Sequence, residues 1–288
     1  MSRTARIRII LEGLYAKYNR RELISPDPLQ FAYRYSEPRD REIAAFLSSA
    51  LAYGRVRQIE TSLHRLFECM GPSPSEFVRD FDEPKRRRLK GFKHRFTTGD
   101  DIADLLELLR DVLGRFGSLE AYFLQGYDAG DNNVIPALSQ FCDSLCQAHA
   151  GRHRGRVGRG LMYLLASPTR NSACKRLNLF LRWMVRHDDV DTGLWKSIDK
   201  TKLIVPVDVH MSRLCRILDL YRRKTVSLTA AVEITESFAR IEPADPVKYD
   251  FALSRIGIVE NCSGTHRLEC EDCEMLEFCR PCAYDESD

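Results

Sequence analysis

The chain has 288 residues, of which 44% are hydrophobic and 30% charged, with a formal net charge of only +3. That is enough apolar material for a substantial core, as one large domain or two small ones. No run of about eighteen apolar residues occurs, which excludes a transmembrane helix, and the charged opening MSRTARIRII lacks the apolar stretch and cleavage site of a secretory leader.

Helical periodicity runs through nearly the whole chain. Ile7, Leu11, Leu14 and Tyr18 form the stripe of a first helix. Residues 41–70 hold two helices broken near Gly54. Residues 101–116 place Leu105, Leu108, Leu109, Val112 and Leu113 on one face, with aspartates at the start and Gly117 at the end. Further helices are expected over 137–150, 175–186, 211–220 and 228–239. The only strand-like run, Leu203 to Val209, is isolated and interrupted by Pro206. The predicted fold class is all-α, without internal repeats or low-complexity linkers.

Charge is unevenly distributed. Residues 85–95 (KRRRLKGFKHR) and 151–160 (GRHRGRVGRG) are densely basic, as a phosphate-binding surface requires, although such runs also serve as plain solvated surface.

The cysteines are more specific. Five of ten lie in the last 27 residues: Cys262, Cys270, Cys273, Cys279 and Cys282. So short a segment cannot bury a core of its own, and clustered thiolates hold zinc or an iron–sulfur cluster. The uneven spacing C-x7-C-x2-C-x5-C favours a 4Fe–4S cluster, with zinc as the alternative and Cys282 as a substitute ligand. Disulfides fit poorly with a chain expected to be cytoplasmic and reduced. Cys69, Cys142, Cys146, Cys174 and Cys215 fall in apolar helical stretches, where they should pack as small hydrophobes.

Two polar residues stand out. Lys175 opens an apolar helix, with Asn178, Arg182 and Arg186 following at helical spacing. Asp208 follows the rigid Val205-Pro206 and precedes another helix, where a carboxylate accepts helix N–H bonds and stays ionised. Taken singly, Asp208 is a helix cap and Lys175 a surface lysine.

Together with the cysteines, these residues resemble the helix-hairpin-helix superfamily of base-excision DNA glycosylases. Lys175-Arg176-Leu177-Asn178 is similar to the K-x-x-N of endonuclease III, and Val207-Asp208-Val209-His210 to its V-D-T-H. Cys262, Cys270, Cys273 and Cys279 match its cluster motif with one extra residue. The resemblance covers residues 42–279. It departs in two places. The glycine hairpin before the lysine is replaced by Ser167 to Ala173. The gap of 33 residues between lysine and aspartate is longer than in endonuclease III and looks more like the archaeal 8-oxoguanine glycosylases, which lack the cluster.

The resemblance implies two helical lobes around a cleft: residues 40–202, and residues 1–39 with 203–288. It implies a monomeric DNA-repair enzyme, a glycosylase and AP lyase that swings a damaged base out of double-stranded DNA. Lys175 would attack the sugar, and Asp208 would assist it. Leu51 would be the wedge, in a stretch from Phe46 to Ala52 beside Tyr53 and Arg55. Arg170, Asn171, Ser172, Asn178, Arg182, His210 and Arg267 would hold the DNA, and Trp183 and Trp195 could stack the flipped base. The rival readings are a noncatalytic nucleic-acid binder, an enzyme acting on a modified RNA base, and a redox protein resting on the cysteines alone.

Overall fold

A computed structural model describes residues 1–223, 225–259, 262, 270–271 and 273–279. Those residues are mostly helical, as the periodicity predicts. In chain order the helices begin with α1 (Arg3–Tyr18), α2 (Pro38–Ala50), α3 (Val56–Met70), α4 (Pro74–Arg79) and α5 (Glu83–Arg88). A two-stranded hairpin follows, β1 (Lys93–His94) and β2 (Thr97–Thr98). Next come α6 (Gly99–Phe116), α7 (Leu119–Phe123), α8 (Ile135–Arg152), α9 (Arg159–Leu164), α10 (Lys175–Val185), α11 (Val209–Ile217), α12 (Leu228–Ala239) and α13 (Asp250–Val259).

Local chemistry sets the boundaries. α2 starts on Pro38, whose fixed φ suits a first helical turn and whose missing N–H costs nothing there. α6 opens with a reciprocal capping box between Thr98 and Asp101, and it ends at Gly117 in the left-handed conformation a side chain would strain. The α1 stripe of Ile7, Leu11, Leu14 and Tyr18 is buried as expected, against α13.

α10 is the central element. Every residue from Arg176 to Val185 is buried, and the helix packs on α2, where Phe46 meets Phe180 edge-on at 5.1 Å. A helix surrounded on all sides needs apolar residues all round, or polar ones that are fully paired. Arg182 and Arg186 take the second route, Arg182 incompletely, since its buried Nη2 has no hydrogen-bond partner among the described residues. Arg182 Nε bonds Asp191 Oδ1 at 3.2 Å, and its Nη1 pairs with Asp250. Arg186 Nε bonds both oxygens of Asp245 at 3.0 Å, and its Nη1 pairs with Asp188 and Asp191. These arginines therefore belong to the core and not to a polar surface of α10.

As its isolation and Pro206 imply, the run at 203–207 is buried but forms no strand, and the Val205 N–H bonds the Thr235 hydroxyl at 3.0 Å. The hairpin at 93–98 falls where only a basic run was read, because two-residue strands leave no alternation to detect.

Candidate functional site

The residues that matter meet because three chain segments end at one place. The segment between α9 and α10 makes a tight hairpin, in which Asn171 and Cys174 both adopt the left-handed conformation. The Ser172 hydroxyl accepts the Cys174 N–H at 3.1 Å, and the Asn178 amide reaches back to the Ala173 carbonyl at 3.1 Å. These bonds fix the entry into α10, so its first residue, Lys175, leaves the buried body of the helix at a defined point.

Asp208 arrives from the other side as the N-cap of α11. Its Oδ1 accepts the His210 and Met211 N–H groups, both at 2.9 Å. Its Oδ2 then lies 2.8 Å from Lys175 Nζ. The pair spans 33 residues of sequence, with both side chains about one-third exposed. Burial raises the Asp208 carboxyl, but the Lys175 ammonium and the helix N–H bonds outweigh it and hold the group below its ordinary value. The carboxylate is therefore ionised at neutral pH and can accept a proton from the amine.

The pair faces a cleft of about 790 Å³, whose wall is shared by Tyr53, Tyr163, Arg170, Asn171, His210 and Asp250. That volume is in the range of sites that enclose a nucleoside-sized ligand. Asp250, from the first turn of α13, is a second buried carboxylate at the cleft. Burial pushes it up to about 6 against the pull of Arg182. Nothing in the sequence sets it apart from the other helix-starting aspartates.

The mouth of the cleft carries an aromatic cluster. Phe96, at the hairpin tip, is 52% exposed and stacks on Tyr53 at 5.1 Å, while Tyr163 meets both rings edge-on at 5.0 and 4.5 Å. Arg176 lies beneath Tyr163, 4.1 Å from its centroid. The hairpin is pinned in place by the buried His94, whose Nε2 donates to the Tyr53 carbonyl at 3.0 Å, leaving Nδ1 to accept from Ser62 at 2.9 Å. Tyr53 returns its hydroxyl to the His94 carbonyl at 3.0 Å. An exposed ring on an anchored turn is the kind of surface on which a base stacks. Phe96 is missing from the sequence reading because its significance lies in exposure, which no local pattern encodes.

The other expected contacts divide clearly. Arg170, Asn171, Ser172, Tyr53 and His210 line the cleft with Lys175 and Asp208. Arg55 is exposed at the start of α3, outside the cleft wall. Leu51 is fully buried and is a core residue, not a wedge, because it ends α2 with its side chain in the packed interior. Asn178 is spent on the hairpin, and Arg182 forms part of the cleft floor but is buried and tied to Asp191 and Asp250. Trp183 and Trp195 are core residues, with Trp195 Nε1 bonded to the buried Glu42 at 2.7 Å, and they offer no face to a base. Arg267 and Cys282 lie outside the described residues.

Much of the first basic run is also used internally. Arg86 pairs with Asp104 and Glu107, Arg87 lies 3.5 Å from Glu83, and Arg88 bonds the Cys69 carbonyl. Lys90, Lys93 and Arg95 remain exposed, and the Arg95 guanidinium lies 6.0 Å from the Phe96 ring centroid.

Cys142, Cys146, Cys174 and Cys215 are buried, as small apolar groups should be, while Cys69 is only half-buried. Cys262, Cys270, Cys273 and Cys279 are half-buried, and Cys262 and Cys273 pack against the core. A turn joins Cys273 to Cys270 (N–H to carbonyl, 3.1 Å), and the Cys279 N–H closes a helical turn on Met275 at 3.2 Å. This segment is tied to the body of the fold. Lys17 bonds Glu274 at 2.6 Å, Arg213 bonds the Cys262 carbonyl at 3.0 Å, and Met275 and Phe278 are buried. Thiols are the donor type that a 4Fe–4S cluster or zinc uses, but among the described residues these cysteines form no group of three ligand atoms within 4.8 Å of one another.

Among the described residues, no helix is long and apolar enough to cross a membrane. Residues 27–259 match the family described as a protein of unknown function (DUF2400), and the chain belongs to that family. No curated protein and no solved structure matches it.

Proposed function

We propose that this member of the DUF2400 family is a base-excision enzyme, a DNA glycosylase with lyase chemistry, working through Lys175. The observation that carries the reading is the 2.8 Å contact between Lys175 and an ionised Asp208 at the wall of a nucleoside-sized cleft. The helix-hairpin-helix resemblance leads to the same pair by an independent route.

In the proposed reaction Asp208 takes a proton from Lys175, and the freed amine attacks C1′ of a flipped nucleotide. The C1′–N bond breaks, and its electron pair leaves with the base, which is protonated. Opening of the sugar expels O4′ from C1′ and gives an iminium on Nζ. Loss of a C2′ proton then drives elimination of the 3′-phosphate and nicks the strand. Asp208 also stabilises the positive charge that develops on the sugar.

Phe96 and Tyr163 would stack the bases next to the extruded nucleotide, and Arg170, Asn171 and His210 would meet the backbone. Lys90, Lys93 and Arg95 extend a positive rim. Cys262, Cys270, Cys273 and Cys279 would hold the cluster, which when bound supplies a covalent tie for a segment too short to pack alone.

Borohydride reduction in the presence of duplexes carrying an abasic site, 8-oxoguanine or an oxidised pyrimidine tests the reading. A covalent adduct is expected with wild type and none with Lys175→Gln, which should still bind DNA. Tight binding with no adduct on any duplex would instead favour the noncatalytic reading, and a preference for structured RNA the RNA-base reading.

A further inference from the structure

A second polar centre lies away from the cleft, where α6 faces α8. Asp104 and Glu107 stand one turn apart on α6, and His149 and His153 one turn apart on α8 and its C-terminal cap. Ligand atoms of Asp104, Glu107 and His153 all lie within 4.8 Å of one another. His149 is buried beneath them. Its ring stacks on His153 at 4.0 Å, nearly parallel at 16°, and its Nε2 lies 3.9 Å from Asp104 Oδ2.

Two features separate this group from an ordinary surface salt bridge. The first is charge. Arg86 contacts Asp100 (3.7 Å), Asp104 (2.6 Å) and Glu107 (3.1 Å), so a single guanidinium serves three carboxylates. The second is what the surplus negative charge faces. The stacked imidazoles of His149 and His153 put ring nitrogens beside these carboxylates. Asp104 meanwhile gives Oδ1 to Arg86 and turns Oδ2 towards His149. Carboxylates held from behind by a hydrogen-bond donor are what metal sites use to orient their ligands.

We propose that Asp104, Glu107 and His153 form a three-residue site for a divalent transition metal of the zinc class, with His149 packed beneath it and not among the ligands. Imidazole donors select such ions over magnesium or calcium, which prefer oxygen alone. Bonds of about 2.0–2.2 Å to nitrogen and oxygen put tetrahedral ligands about 3.3–3.6 Å apart, so side chains now within 4.8 Å of one another need to close by up to about 1.5 Å. The ion would staple α6 to α8 and, through Arg86, to α5. It would thereby fix the two basic segments, residues 85–95 and 151–160, relative to each other.

The test is titration of the full-length protein with Co²⁺, followed by visible absorption. Metal bound by the tail cysteines would be told apart, because a thiolate site gives intense sulfur-to-cobalt charge transfer, whereas a nitrogen and oxygen site gives only weaker d–d bands. Wild type is expected to show d–d bands that persist in the Cys270→Ser/Cys273→Ser protein and are not displaced by excess Mg²⁺. Loss of a ligand should weaken this binding by at least about tenfold. His153→Ala reports this without disturbing the fold, because the side chain is exposed at the end of α8, and Asp104→Asn provides a second reading. Cobalt bands that are wholly thiolate-based, or an affinity unchanged in both variants, would overturn the site.

Discussion

Helix α10 carries charge at both ends, and the two ends are built in opposite ways. At its first residue, Lys175 reaches one carboxylate, Asp208, and both side chains remain open to a cleft. Two turns later Arg182 and Arg186 are buried and enclosed by Asp191, Asp245 and Asp250. The residue types are similar, but burial decides the role. An enclosed network must stay paired, because an orphaned charge has no water to turn to. The open pair can exchange its proton or its partner with a ligand. The sequence shows only basic residues at helical spacing, so Arg182 reads as a DNA contact until its surroundings are known.

The contrast can be broken by substitution. The largest effect on stability is expected from Asp191→Ala, which removes the one carboxylate that Arg182 and Arg186 share and leaves Arg182 with Asp250 alone. It should cost about 3–5 kcal/mol in denaturant unfolding, and a loss below about 1 kcal/mol would show that the network is not structurally coupled. Asp208→Asn should leave folding nearly intact, since asparagine caps a helix as well as aspartate. It should nevertheless slow adduct formation by about 100-fold or more. Trapping of the Asp208→Asn protein at the wild-type rate would remove the assigned role of the carboxylate. Phe96→Ala should weaken binding to DNA by about 1–3 kcal/mol, the worth of one stacked base, without lowering the melting temperature.

Acid sharpens the same comparison, because the two carboxylates shift in opposite directions. Asp208 is held below its ordinary value, so its contribution to stability is present above the unfolded value of about 3.9 and is lost only as pH falls through the folded one. Asp250 is pushed by burial up to about 6, so the fold favours its protonated form. Its contribution is therefore greatest at low pH and declines as pH rises from about 4 through 6. Unfolding midpoints across that window should lose this slope in Asp250→Asn, and a slope that persists would assign it to another group.

The helices were legible because their apolar stripes repeat at helical spacing. Ile7, Leu11, Leu14 and Tyr18 proved to be the buried face of α1, and Gly117 ends α6 as read, while its start lies at Gly99, two residues before the expected Asp101, behind the Thr98 cap. The Lys175–Asp208 pair was legible as two separate peculiarities, a lysine opening an apolar helix and a capping aspartate after a proline. What escaped depends on three-dimensional surroundings. Leu51 sits in a plausible wedge position but its side chain points into the core, while the ring that does stand out, Phe96, belongs to a hairpin too short to leave a pattern. Asp250 looks like any aspartate at a helix start until burial raises it.

The most direct measurement is peptide mapping of the species trapped by borohydride on an abasic duplex. A sugar fragment attached at Lys175, with no such adduct formed by the Lys175→Gln protein, is the result expected. Attachment at any other amine, with Lys175 unmodified, would contradict the account.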